Sequence, residues 1–200
     1  MRAGDERDLR ERLCRVGVRL HEAGLVAGRS GNLSARLSPD RILVSPRGVR
    51  KDALRPADLV VVDLRASDDP ARAPAPDAGR NRASTELPAH LACYRADPAL
   101  GAVLHAHAPA LIAAGLRGLD IGATLPEVEE STGPIVTVPF APSGSAELAD
   151  GVGKAAAAGA SVMLLARHGV MATGPEPEAA FDRLELAELS ARACLLARES

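Results

Sequence analysis

Apolar and polar positions recur along this chain with two periods, and the switch between them marks out its elements. Leu9, Leu13, Val16 and Leu20 fall at helical spacing among charged neighbours, which predicts a helix over 5–23 ended by Gly24. Gly28-Arg29-Ser30-Gly31-Asn32-Leu33-Ser34 reads as a loop running into a strand through Ala35-Arg36-Leu37. Arg41 to Val44 is a short strand, Ser45-Pro46-Arg47-Gly48 a turn, and Asp58 to Leu64 the clearest strand of the chain. Between 65 and 82 Asp, Pro, Ala, Arg and Gly dominate without a period, so a mobile surface loop is expected there. Ser84 or Thr85 is expected to cap the next helix, which carries Pro88 in its first turn and runs to about Arg95. Strands follow at Ala102 to His105, Ile135 to Val138, Ser161 to Ala166 and His168 to Thr173. Helices are expected from Pro109, from a Ser145 cap to a stop at Gly159, and from Pro175 to about Glu199. From 116 to 131 glycine and proline alternate with apolar and acidic residues, and no element emerges. Helices alternate with strands, yet several neighbouring strands are joined by short turns. The pattern predicts an α/β fold with a mixed, largely antiparallel sheet and helices on its faces, not a doubly wound nucleotide fold.

Composition narrows the class. With 200 residues, 46% of them hydrophobic, the chain is expected to form a single domain over 1–200. Aromatic residues are only 2%, so the core must be built from Ala, Leu and Val. A formal net charge of −2 argues against binding nucleic acid or an anionic membrane in bulk. No run of 18 uncharged apolar residues exists to predict a membrane span. The first residues are charged where a signal peptide would turn apolar. Cys14, Cys93 and Cys194 show no CxxC spacing, so free thiols in the reducing cytoplasm are expected.

Three histidines carry the candidate chemistry. His105 and His107 end the strand begun by Val103-Leu104, and side chains two apart on a strand share a face, at roughly 6–7 Å between Cα atoms. His168 follows the apolar run Ser161 to Ala166. If the two strands lie close, three imidazoles occupy three corners of a tetrahedron and leave the fourth open, the arrangement of a catalytic zinc site. Glu86, in Ser84-Thr85-Glu86, is the carboxylate that can ligate such a metal or take a proton; it can equally be a glutamate at a helix start. His90 lies on the same helical face as Glu86, and packing against the sheet is the simpler role for it than a fourth ligand. Gly31-Asn32, Ser45 to Gly48 and Ser84-Thr85 are small-residue clusters suited to phosphate. The chain has neither GxxxxGK[ST] nor GxGxxG, so a nucleotide site is unsupported.

Ser30-Gly31-Asn32-Leu33-Ser34, Val44-Ser45-Pro46-Arg47-Gly48, Ser84-Thr85-Glu86, His105-Ala106-His107 and His168-Gly169 occur in this order over about residues 8–195. In this the chain resembles the class II aldolase/adducin family, in particular its bacterial aldolases of the L-fuculose-1-phosphate type. The resemblance implies a three-layer α/β/α domain and a fourfold homotetramer with active sites at subunit boundaries. It implies that His105, His107 and His168 bind one zinc ion, and that Glu86 ligates the resting metal and serves as the catalytic acid–base. Asn32, Ser45, Gly48, Ser84 and Thr85 match positions that cradle a substrate phosphate. The implied activity is reversible cleavage of a phosphorylated ketose to dihydroxyacetone phosphate and an aldehyde. A methylthioribulose-1-phosphate-type dehydratase, a ribulose-phosphate epimerase and a non-enzymatic adducin-like interaction module are the alternatives. Three departures stand out: Tyr94, the only tyrosine, does not match the tyrosines near the leaving aldehyde; Arg47 replaces a small hydroxyl residue; and Arg167 stands where many aldolases carry Asn.

Overall fold

The computed structural model describes residues 3–65, 82–121 and 125–197. The surface loop expected over 65–82 therefore falls almost wholly outside the described residues. In chain order the elements are α1 (Ala3–Glu22), β1 (Asn32–Ser38), β2 (Arg41–Val44), β3 (Val60–Asp63), α2 (Leu87–Ala96), β4 (Ala102–Ala106) and α3 (Pro109–Leu116). Then come α4 (Pro126–Thr132), β5 (Ile135–Val138), α5 (Ala146–Ala157), β6 (Val162–Leu165), β7 (Gly169–Gly174) and α6 (Pro177–Ala197).

The strands form one sheet in the order β3-β2-β1-β4-β7-β6-β5. Every neighbouring pair is antiparallel except β5 and β6, which α5 connects as a crossover. The mixed, largely antiparallel sheet and its three layers are those that the sequence pattern and the family resemblance imply. Alternation along the central strands separates two cores. Leu104, Leu164 and Ala172 join Leu13 and Leu20 of α1 and Phe181 and Leu184 of α6 on one face. Their neighbours Val103, Met163 and Met171 face Leu91 of α2 and Leu148 and Val152 of α5 on the other. Among the described residues no helix is long and apolar enough to cross a membrane.

Several boundaries differ from expectation. β1 begins at Asn32, inside the expected loop, because Asn32 to Ala35 pair with Ala102 to His105 of β4. β3 begins only at Val60, since Pro56–Asp58 forms a 3-10 turn in which Asp58 pairs with Arg55. Neither Ser84 nor Thr85 occupies the cap of α2: Glu86 does, while the Ser84 hydroxyl, two residues earlier, accepts the Glu86 N–H. Within the unassigned stretch, Pro126 starts α4, which buries Val128 and Thr132. The Ser145 cap of α5 is as expected, accepting from the Leu148 N–H at 3.1 Å.

Candidate functional site

The register of the central strands builds the site. β4 lies between β1 and β7, so Asn32 stands opposite His105 on one side and Met171 on the other. His107 lies just past β4, tied by its N–H to the Leu25 carbonyl. β6 and β7 are joined by a three-residue turn, and His168 is its last residue, not the first of the strand. Arg167 before it has φ of 60°, in the left-handed region that Asn tolerates better than other L-residues. The Arg167 guanidinium stacks over the Phe140 ring at 4.8 Å. Gly169 is needed for space: a Cβ there would come within 2.5 Å of the Ala106 carbonyl oxygen and 3.0 Å of both the His105 and His107 rings.

The three imidazoles converge, with ring centroids 4.9–5.5 Å apart. His105 Nδ1 faces the Val170 carbonyl at 3.1 Å, and a carbonyl only accepts, so the proton sits on Nδ1 and Nε2 is a bare lone pair. That lone pair lies 3.2 Å from His107 Nε2 and 3.0 Å from Glu86 Oε2. Glu86 Oε1 lies 3.1 Å from His168 Nε2. Lone pairs and carboxylate oxygens this close repel unless a cation sits among them. The edge of a tetrahedron with metal–nitrogen bonds of about 2.0–2.1 Å is about 3.3 Å, close to these separations. The donor set thus fits a divalent transition metal held by His105, His107 and His168, with Glu86 within reach as a further ligand. His107 is suited to bind as a neutral ligand: burial, then the neighbouring histidines, push it down to about 4. His168 Nδ1 is buried with no hydrogen-bond partner among the described residues.

Glu86 is itself gripped at both oxygens. Asn32 Nδ2 donates to Oε2 at 2.8 Å and Ser143 Oγ to Oε1 at 2.7 Å. Burial alone would push its carboxyl up, but positive charge shared with His105 and His168, whether a proton or a metal ion, and the Asn32 hydrogen bond outweigh it and hold the group ionised, well below the usual carboxylate range. Ser143 escaped the sequence reading. Gly144 beside it has φ of 72°, and a Cβ there would meet the Thr85 carbonyl oxygen at 2.7 Å. The Pro142-Ser143-Gly144 turn was the only signal available, and it says nothing of what the turn rests on.

Above this centre lies a cleft of about 310 Å³. Asn32, Gly48, Ser84 and Thr85 line it together with Glu86 and His168. The 45–48 turn reaches it because Pro46 bridges Ala83 and the Arg47 N–H donates to Arg82. Ser45 is set apart: it is fully buried and its hydroxyl oxygen accepts from the Leu33 N–H at 3.1 Å, joining β1 to the turn. The cleft also holds three cations, Arg29, Arg47 and Lys51. Arg47 points into this cleft, although its guanidinium stays exposed. Lys51 is 2% exposed, and burial pushes its ammonium down to about 8. His90 does not reach the metal centre; it is wholly buried against β1, and burial, then His105, push it down to about 3. Tyr94 is buried beside it and does not line the cleft.

The model of the class II aldolase and adducin N-terminal domain matches residues 11–195. The chain belongs to the class II aldolase/adducin family. Among relatives of this family member, a 5-methylthioribulose-1-phosphate/5-deoxyribulose-1-phosphate aldolase from Escherichia coli O45:K1 (strain S88 / ExPEC) is 34% identical over 82% of this chain and 72% of its own. A 3-oxo-tetronate 4-phosphate decarboxylase from Haemophilus influenzae (strain ATCC 51907 / DSM 11121 / KW20 / Rd) is 31% identical over 92% and 85%. Among solved structures, an L-fuculose 1-phosphate aldolase superposes with a TM-score of 0.83 at 26% identity, covering 96% of this chain and 87% of that one. The family comprises metal-dependent lyases, and these relatives divide between carbon–carbon cleavage of ketose phosphates and decarboxylation.

Proposed function

We infer that this chain is a zinc-dependent aldolase that cleaves a ketose 1-phosphate to dihydroxyacetone phosphate and a small aldehyde. The supporting observation is the Glu86 carboxylate, which spans the Nε2 atoms of His105 and His168 while Asn32 and Ser143 hold its two oxygens. A metal held by the three histidines supplies Lewis-acid stabilisation of the charge that collects on the ketose oxygens. The bond between C3 and C4 breaks, C4 leaves as the aldehyde carbonyl, and the electron pair remains on the ketose half. Glu86, ionised at rest, takes the C4 hydroxyl proton as that bond breaks and delivers it to C3, and in the synthetic direction it carries the same proton back. Gly48, Ser84 and Thr85 hold the phosphate at the mouth of the cleft, and Ser45 supports their loop from behind. Kinship to an aldolase of 5-methylthioribulose and 5-deoxyribulose 1-phosphates favours small aldehydes that carry no hydroxyl group. The whole chain acts as one domain in the cytoplasm, as a homotetramer; exposed Leu116, Phe140 and Leu196 supply apolar surface for subunit contact.

A decarboxylase reading is favoured by a separate observation. Arg29, Arg47 and Lys51 put three cations on one cleft, enough for a phosphate and a carboxylate together. One experiment separates the readings. Metal content is measured on the purified protein, and products are identified from 5-deoxyribulose 1-phosphate, L-fuculose 1-phosphate, methylthioribulose 1-phosphate and 3-oxo-tetronate 4-phosphate. About one zinc per chain with dihydroxyacetone phosphate release is the expected result. Carbon dioxide release moves the decarboxylase to the front, and loss of water from methylthioribulose 1-phosphate does the same for the dehydratase. Protein that holds no metal even after zinc supplementation leaves only the adducin-like interaction module.

A further inference from the structure

Behind Glu86 a line of buried polar side chains runs inward through Asn32, His90 and Ser34 to Tyr94, each 5% exposed or less. Asn32 Oδ1 lies 2.5 Å from His90 Nε2, His90 Nδ1 lies 2.7 Å from Ser34 Oγ, and Ser34 Oγ lies 3.0 Å from the Tyr94 hydroxyl. The chemistry of the first member sets the direction of every bond. An ionised carboxylate only accepts, so Asn32 must turn its NH₂ toward Glu86 and its carbonyl oxygen toward His90. That oxygen only accepts, so the His90 proton sits on Nε2. Nδ1 is then a lone pair, so the Ser34 O–H donates to it, and the Tyr94 O–H donates in turn to Ser34. The far end is fixed as well, because the Arg36 guanidinium lies 4.9 Å over the Tyr94 ring and donates to the Tyr94 carbonyl.

We propose that His90 is a positioning residue, the centre of a one-way hydrogen-bond relay from Tyr94 that locks the Asn32 amide and through it Glu86 Oε2. Oε2 is held by this buried line, whereas Oε1 is held only by the exposed Ser143 hydroxyl on the cleft side and is the oxygen that exchanges a proton with substrate. A histidine suits this role because it accepts at one ring nitrogen and donates at the other. This part rests on the acid–base role given to Glu86; the relay itself does not. It also gives Tyr94, which stands away from the cleft, a purpose at the inner end of the same line.

The test uses the full-length protein with ¹⁵N-labelled histidine, the His90 signals being assigned by their loss in His90→Gln. The expected result is a proton on His90 Nε2 and none on Nδ1 at neutral pH; a proton on Nδ1 overturns the relay. In turnover, His90→Leu should lower kcat about 10- to 100-fold with KM within about twofold and metal content unchanged. His90→Gln, whose amide can still donate to Asn32 Oδ1, should recover most of that loss. Wild-type kcat in His90→Leu, or equal losses in both variants, overturns the positioning role. If His90→Leu does not fold, Ser34→Ala cuts the same line. It should let the Nδ1–H form appear and lower kcat, whereas an unchanged tautomer with unchanged kcat speaks against the relay. Should the wild-type protein turn over none of the phosphorylated substrates, the aldolase reading fails, and the His90 tautomer still decides the relay.

Discussion

His105 is 1% exposed and Glu86 6%, whereas Arg47, Gly48 and Thr85 across the same cleft stand exposed on loops. The inner wall is set by strand register: Asn32 faces His105 across β1 and β4, and Gly169 of β7 leaves room for two imidazole rings. The rim is set by turns that touch the wall at single points, such as the Pro46–Ala83 bridge and the approach of Gly144 to Thr85. A wall of this kind keeps reacting groups in one geometry, while a rim on turns can change its residues without disturbing the sheet. On this division the wall is the place for reacting groups and the rim the place for substrate choice.

The sharpest way to break this comparison is at Glu86. Glu86→Gln should keep its metal, measured by elemental analysis, and lose about 10²- to 10⁴-fold in kcat; near-normal turnover would remove the wall from the chemistry. Lys51 tests the rim through its one buried cation. Its ammonium is pushed from 10.5 to about 8 by burial, so between those values the unfolded chain holds a proton that the folded chain has released. Stability therefore rises with pH across that window. Lys51→Met should abolish this component of the rise and gain roughly 2–3 kcal/mol at pH 7, read by denaturant unfolding at several pH values. The wall's intolerance of volume is checked by Gly169→Ala, expected to cost about 1–3 kcal/mol and to lower Tm by several degrees. A thermal scan that shows no loss would mean the histidine rings have slack. The smallest effect is expected at Arg47: Arg47→Ala should raise KM for a phosphorylated substrate about three- to tenfold, with kcat within twofold. A fall in kcat alone would place Arg47 with the wall.

The wall was largely legible in the sequence and the rim was not. A period of two brings His105 and His107 to one face without any knowledge of the fold, and His168 stood out because it too ends an apolar strand. Ser143 could not be found this way, since it meets Glu86 only because Gly144 settles on the Thr85 carbonyl, a contact between segments far apart in sequence. Ser45 shows a related limit. Its hydroxyl suits an anion, but β1 begins early enough to present the Leu33 N–H to it first. His90 was placed against the sheet from its helical spacing; its partners follow from how α2 lies over β1, which no local pattern records. The α4 helix was hidden because seven residues, beginning with Pro126 and carrying three glutamates, give too little apolar periodicity.

The order of strands carries one more consequence, for the life of the chain before it works. β1, β4 and β7 are adjacent in the sheet, yet β1 is made first and β7 almost last, and the His105–His168 pair exists only once β4 and β7 have zipped. A metal that needs both histidines cannot fasten onto a half-finished chain. An ion held by the three histidines would bind only the completed fold and stabilise it against unfolding, so that it would inspect assembly as well as take part in any chemistry.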